Sequence, residues 1–240
     1  MRIALFATCT AQAFRPGLTA AGRKLAHDLG LTLVTPPQTC CGLPAWDAGR
    51  LEPARMAARQ FVRVFAGYDL VLTPSPACRR MVCEHMPVLL ATEPEAAAGM
   101  AVAARLVTWP AFLVEHVGVE RFEPRFRGRI GYFPACTGTD EAAVQALLAR
   151  ITGAELPTVF RQDCCGYGLN LVWRYPELSR AMAEPVLMTL RLSGAALVLT
   201  DEVGCLVHLL AQQRRRPGPV LRHLVEFLAD PDCCRLLPQR

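Results

Sequence analysis

Apolar residues in this chain come in short runs separated by mixed stretches, and the order of the two kinds repeats. "RIALFATC" leads into a helical pattern near residues 18–29, then "LTLVTP", a second helical pattern near 50–66, and "LVLT" from Leu70. After residue 128 the series starts again with "RIGYFPAC", a helix near 140–151, "ELPTVF", a helix near 176–192 and "AALVLT". Short apolar runs alternating with helices at this spacing predict parallel β-α-β units, and so an α/β fold of two tandem pseudo-repeats, each a small parallel sheet with flanking helices. Each half is expected to close on a helix, "TWPAFLVEHV" with Pro110 early in it and "VLRHLVEFLA", since proline is tolerated in the first helical turn. Residues 119–128, arginine-rich and holding Pro124 and Gly128, read as the joint between domains 1–120 and 125–240. Met182, Met188 and the leucines between them read as core.

Cysteines mark the same repeat. Cys9 and Cys136 stand 127 residues apart, as do Cys78 and Cys205, while the pairs Cys40–Cys41 and Cys164–Cys165 stand 124 apart. Each station follows a predicted strand. Parallel strands all end on one edge of their sheet, and the loops leaving that edge form the usual ligand crevice. Cys9, Cys40, Cys41 and Cys78 are therefore expected over one sheet edge, and Cys136, Cys164, Cys165 and Cys205 over the other, as two four-thiolate sites. Neighbouring cysteines make a poor disulfide, but a glycine directly after each pair, Gly42 and Gly166, lets the backbone turn so that both thiols face one body. That arrangement suits a multi-iron cluster. Zinc remains the alternative, although the Cys-x-x-Cys knuckles that usually hold it are absent, as is the closely spaced cysteine run of ferredoxins.

The other candidates read as ordinary structure. Cys83, Cys233 and Cys234 have no counterpart in the opposite half and are expected to fill space. His27, His85, His116 and His223 read as exposed or half-buried, while His208, three residues after Cys205, is the histidine placed to approach the second site.

Composition narrows the setting. The 240 residues are 52% hydrophobic and 20% charged, with a net charge of +5 from scattered arginines. The run Arg214–Arg216 precedes "PGP" and reads as a solvated loop; without a nucleic-acid motif, nucleic acid is not an expected partner. The opening apolar run is about six residues, shorter than the roughly 7–15 of a signal peptide and far below the roughly 18 of a membrane span. Cytoplasmic placement is expected, where thiols stay reduced, so eleven cysteines point to metal or redox chemistry.

The doubled pattern of Cys9, "CCG" at 40–42 and Cys78, with Cys136, "CCG" at 164–166 and Cys205, resembles the cysteine-rich or CCG domain family. Its members include the cysteine-rich chain of heterodisulfide reductase, the iron–sulfur subunit of glycolate oxidase and lactate-utilisation protein A. The stretches "TCCGLPAWDAG" and "CCGYGLNLVWRYPELSRAMA" resemble the last of these most. The resemblance implies one iron–sulfur cluster per domain; clusters of the 4Fe-4S type, held by the eight repeated cysteines, are the expectation for this chain. It also implies a non-catalytic electron-transfer role in a complex oxidising lactate or glycolate, with partner subunits that carry ferredoxin-type clusters or a flavin. A disulfide-cleaving subunit is the alternative implied by the heterodisulfide reductases. Those relatives end each ligand set in Cys-x-x-Cys; here Ser75 and Glu202 replace the first cysteine of that pair and offer oxygen instead.

Overall fold

The computed structural model describes residues 1–160, 164–214 and 217–237. The first half builds a four-stranded sheet from β1 (Ile3–Leu5), β2 (Leu33–Val34), β3 (Leu70–Thr73) and β4 (Leu106–Thr108), in the order β2-β1-β3-β4. All three pairings are parallel. The second half repeats the plan with β5 (Phe122–Tyr132), β6 (Thr152–Val159), β7 (Leu197–Thr200) and β8 (Val220–His223), ordered β6-β5-β7-β8 and again parallel. A last strand, β9 (Cys234–Leu236), runs antiparallel against the start of β5. Central strands β1, β3 and β7 are buried along their whole length, as a sheet covered by helices on both faces requires.

Several expectations need correction. At the boundary read near 119–128 the chain is ordered rather than irregular: Val119–Arg121 form a single tight turn, and β5 begins at Phe122, which pairs with Leu236. "VLRHLVEFLA" is not one helix but strand β8 followed by the helix Leu224–Leu228. A four-residue apolar run in front of a helix carries too few positions for its periodicity to show. β4, directly before the helix Trp109–Phe112, escaped for the same reason. Met188 is exposed, because the helix Pro176–Leu192 buries Ser179, Ala183, Val186, Leu187 and Leu190. Those positions form one helical stripe that excludes residue 188. Arg214 caps the helix Val203–Gln213, and Arg215 and Arg216 lie outside the described residues.

The halves are not separate bodies. One core runs through both, joining Ile3, Leu25, Leu72, Trp109 and Phe112 to Phe122, Ile130, Tyr132, Leu199 and Phe227. The helix Pro16–Asp28 of the first half packs on Leu224–Leu228 of the second, and Trp109–Phe112 packs on Glu141–Leu148. These two contacts are counterparts under the repeat, so the halves embrace with approximate twofold symmetry. Among the described residues, no helix is long and apolar enough to cross a membrane.

Candidate metal centres at the facing sheet edges

Each cysteine station lies past the carboxyl end of its strand, and the structure brings those of each half together in pairs. In the first half the Cys9 sulfur lies 3.8 Å from that of Cys40, and Cys41 lies 3.5 Å from Cys78. In the second, Cys165 and Cys205 are 3.1 Å apart, and Cys136 lies near enough to Cys164 for that neighbour to push its thiol up. Cys9 and Cys136 are exposed while Cys41, Cys165 and Cys205 are buried, so each site opens to solvent on one side and backs onto the core on the other. Cys83 reaches the Ala103 carbonyl at 3.4 Å and packs against the same core cluster as Cys40, Cys41 and Cys78, while Cys234 belongs to β9.

The motif glycines act as the sequence suggests. Gly42 and Gly166 take φ of 97° and 85°, a region that side chains disfavour, and each turns its N–H toward the first cysteine of its pair, at 3.4 Å from Cys40 and from Cys164. Hydrogen bonds from Cys41 and Cys9, aided by that N–H, pull the Cys40 thiol down to about 3. Cys136 and Cys165 hold Cys164 at about 2 in the same way. The thiols that donate, Cys9, Cys41, Cys136 and Cys165, are pushed up chiefly by their bonds to these two acceptors and by burial. Each half thus brings soft sulfur donors into close pairs past its strand ends, while among the described residues no three His, Cys, Asp or Glu side chains already stand as a ready-made group for a metal ion. Such a donor set fits a thiophilic metal group and suits magnesium or calcium poorly.

Gly166 has less room than Gly42. A Cβ at Gly166 would lie 2.6 Å from the Ser179 carbonyl oxygen and 3.0 Å from the Met182 Cβ, whereas at Gly42 the nearest contacts are 3.2 and 3.3 Å. Left-handed backbone costs an ordinary residue about 1–2 kcal/mol and overpacking about 1–3 more. Gly166→Ala is therefore expected to lower stability by about 2–5 kcal/mol, and Gly42→Ala by less; urea unfolding of the two variants ranks them. A smaller loss at Gly166 would contradict the packing described.

Ser75 and Glu202, counterparts in the two halves, meet each other. Ser75 Oγ lies 2.8 Å and 3.0 Å from the two Glu202 oxygens, which also accept from the N–H groups of Ala77 and Gly204 at 2.9 Å. Ser75 in turn accepts from the Cys78 N–H at 3.1 Å. Both residues cap the helix that carries their half's last cysteine, and together they seal the line where the two sheet edges face. Burial raises the Glu202 carboxyl and pushes Asp201 up to about 7.

His223 overturns its reading as a solvent-facing or half-buried residue: it is wholly buried. Its Nδ1 accepts from the Val225 N–H, so Nε2 carries the proton and donates to the Pro74 and Asp201 carbonyls at 3.1 and 3.0 Å. Pro74 and Asp201 are again counterparts, so His223 pins the halves at the symmetry line. Isolated in "VLRH", it carried no signal of this in the sequence. His208 does stand behind the second site, with Nε2 3.2 Å from Ser179 Oγ, while the same hydroxyl donates to the Gly166 carbonyl at 2.8 Å. Ser179 had no motif to announce it.

Comparison with known proteins agrees with the doubled arrangement. The model of the cysteine-rich domain (CCG) family matches residues 3–82 and again 130–210. Lactate utilization protein A of Geobacillus kaustophilus is 30% identical over 237 residues, covering 95% of this chain and 98% of that protein. The protein of the same name from Oceanobacillus iheyensis is 28% identical, covering 95% and 96% respectively. Among solved structures, a hypothetical protein from Helicobacter pylori superposes with a TM-score of 0.64 at 10% identity, over 95% of this chain and 48% of that one. This chain therefore spans about half of that structure, and the likeness is one of fold.

Proposed function

This chain belongs to the cysteine-rich (CCG) domain family, and we propose that within it the chain serves lactate utilisation as an iron–sulfur electron-transfer subunit. One observation carries the reading: two sets of four thiols, each ending three parallel strands, face one another across the buried Ser75–Glu202 contact. Cys9, Cys40, Cys41 and Cys78 would hold one group, and Cys136, Cys164, Cys165 and Cys205 the other, with the halves 1–120 and 125–240 contributing one site each. Iron–sulfur groups bound there supply one-electron capacity over a wide range of potential. The chain's own part is to hold the thiols at the mouth of a dry core, to donate the Gly42 and Gly166 N–H groups to sulfur, and to leave Cys9 and Cys136 open toward a partner.

A two-electron oxidation of a hydroxy acid needs a hydride acceptor that these residues do not offer, so that step is assigned to partner subunits carrying a flavin or ferredoxin-type clusters. A 4Fe-4S composition in each site and a reducing, cytoplasmic setting complete the reading. The test is iron and sulfide content with electron paramagnetic resonance on anaerobically purified protein, together with turnover assays. The expected protein is coloured, holds iron in both sites and oxidises neither lactate nor glycolate alone. Colourless, zinc-loaded protein would favour a structural-metal module, and lactate oxidation by the isolated chain would exclude the electron-transfer role.

A further inference from the structure

The repeat is symmetric at its cysteines and asymmetric just beyond them. After the first Cys-Cys-Gly comes Leu43; after the second comes Tyr167. Tyr167 leaves its own half. Its phenol oxygen lies 3.0 Å from Thr10 Oγ1, and Thr10 is the residue next to Cys9. Asn170, three residues on, donates to the Pro44 carbonyl at 2.8 Å, so the second motif loop lies across the first motif's short helix, Leu43–Asp47. Leu169 and Asn170 both hold positive φ, 55° and 58°, to make that crossing, a strained backbone of the kind that concentrates at functional sites.

The ring is held as firmly as the hydroxyl. It lies against Gly204, where a Cβ would come within 2.5 Å of the ring, so only glycine admits it beside Cys205. On its other side the ring centroid is 6.2 Å from that of His208. One side chain therefore borders Cys205 of the second site with its ring and reaches the Cys9 side of the first with its oxygen.

We propose that Tyr167 is a positioning residue through which the second half tunes the first cysteine site. Thr10 directly follows Cys9, so the hydroxyl that Tyr167 holds stands at the edge of the first cysteine site. A hydroxyl has one proton; when Thr10 gives it to sulfur, its oxygen accepts from Tyr167. Tyr167 O–H, Thr10 O–H and the Cys9 sulfur then form a chain in which each bond strengthens the next. Hydrogen bonds to ligating sulfur favour the more negative, reduced state and raise the reduction potential of the group held there. The chain runs one way, from the second half to the first. Leu43 offers no hydroxyl in return, so the two sites are expected to differ in potential despite matching ligands.

This inference rests on the iron–sulfur reading and is tested on the full chain reconstituted anaerobically with iron and sulfide. Potentiometric titration followed by electron paramagnetic resonance compares the wild type with Tyr167→Phe, Thr10→Val and the double variant. Cys41→Ser, which retains the second site's signal, identifies which signal is which. Tyr167→Phe keeps the ring and is expected to retain wild-type iron content while lowering the first site's potential and leaving the second's in place. Thr10→Val should lower it at least as far, and the double variant no further than Thr10→Val, because Tyr167 acts through Thr10. An unmoved first-site potential in Tyr167→Phe, an additive shift in the double variant, or loss of first-site iron in Tyr167→Phe would each overturn the proposal. A wild-type chain that takes up no iron overturns the iron–sulfur reading and this one together; full iron with an unmoved potential overturns this one alone.

Discussion

Chains 1–120 and 125–240, produced separately, are expected not to fold. Two sheets and two thiol sites suggest independent halves, yet the core that buries Trp109, Phe112, Phe122, Ile130, Tyr132 and Phe227 is built by both. Burying one large apolar side chain is worth about 1.5–3 kcal/mol, and a domain's whole net stability is about 5–15 kcal/mol. Exposing even part of one side of that core exceeds what either half has to spare. His223, with its bonds to Pro74 and Asp201, and Glu202, with its bonds to Ser75 and the Ala77 N–H, would also lose buried partners. Circular dichroism and urea titration of each half should show no cooperative transition, and co-expression of the two should restore it. A cooperative transition in 1–120 alone would show that its sheet and helices suffice.

Cys165→Ser is expected to empty the second site while the chain stays folded, and Cys41→Ser to do the same in the first. Serine is close to cysteine in size, so the packing around these buried positions survives. A neutral hydroxyl replaces a soft thiolate poorly as a metal ligand, so each variant is expected to lose about half of the iron. Cys83→Ser makes the same chemical change at a cysteine with no counterpart in the other half, whose thiol reaches the Ala103 carbonyl. It is expected to keep its iron. Iron and sulfide analysis beside the unfolding midpoint of each variant separates ligand loss from unfolding. If Cys83→Ser loses as much iron as Cys41→Ser, the first site contains a fifth cysteine.

Local signals made much of the molecule legible. That the repeated cysteines follow strand ends was legible from their spacing and from their place after an apolar run, because parallel strands must end on one edge and carry their following loops there. The helices Leu51–Phe65 and Pro176–Leu192 matched their patterns, since long amphipathic stretches sample enough positions for the 3.6-residue period to show. β4 and β8 did not, being three and four residues long and fused to helices. Their identity is set by pairing with β3 and β7, a non-local fact.

What the chain's sequence by itself determined is the doubled unit: two parallel sheets and two Cys-Cys-Gly turns, with four repeated cysteine positions in each half. These follow from local propensity, backbone permissiveness and strand direction. Only the tertiary structure decided how the units meet. Ser75 and Glu202 are two ordinary polar residues until the facing edges bring a hydroxyl to within 2.8 Å of a buried carboxylate oxygen. His223, Tyr167 and Thr10 likewise act across the joint, between residues 149 and 157 positions apart in the chain. Such partners leave no periodicity and no motif, because a hydrogen bond between distant loops constrains one atom on each side and nothing in between.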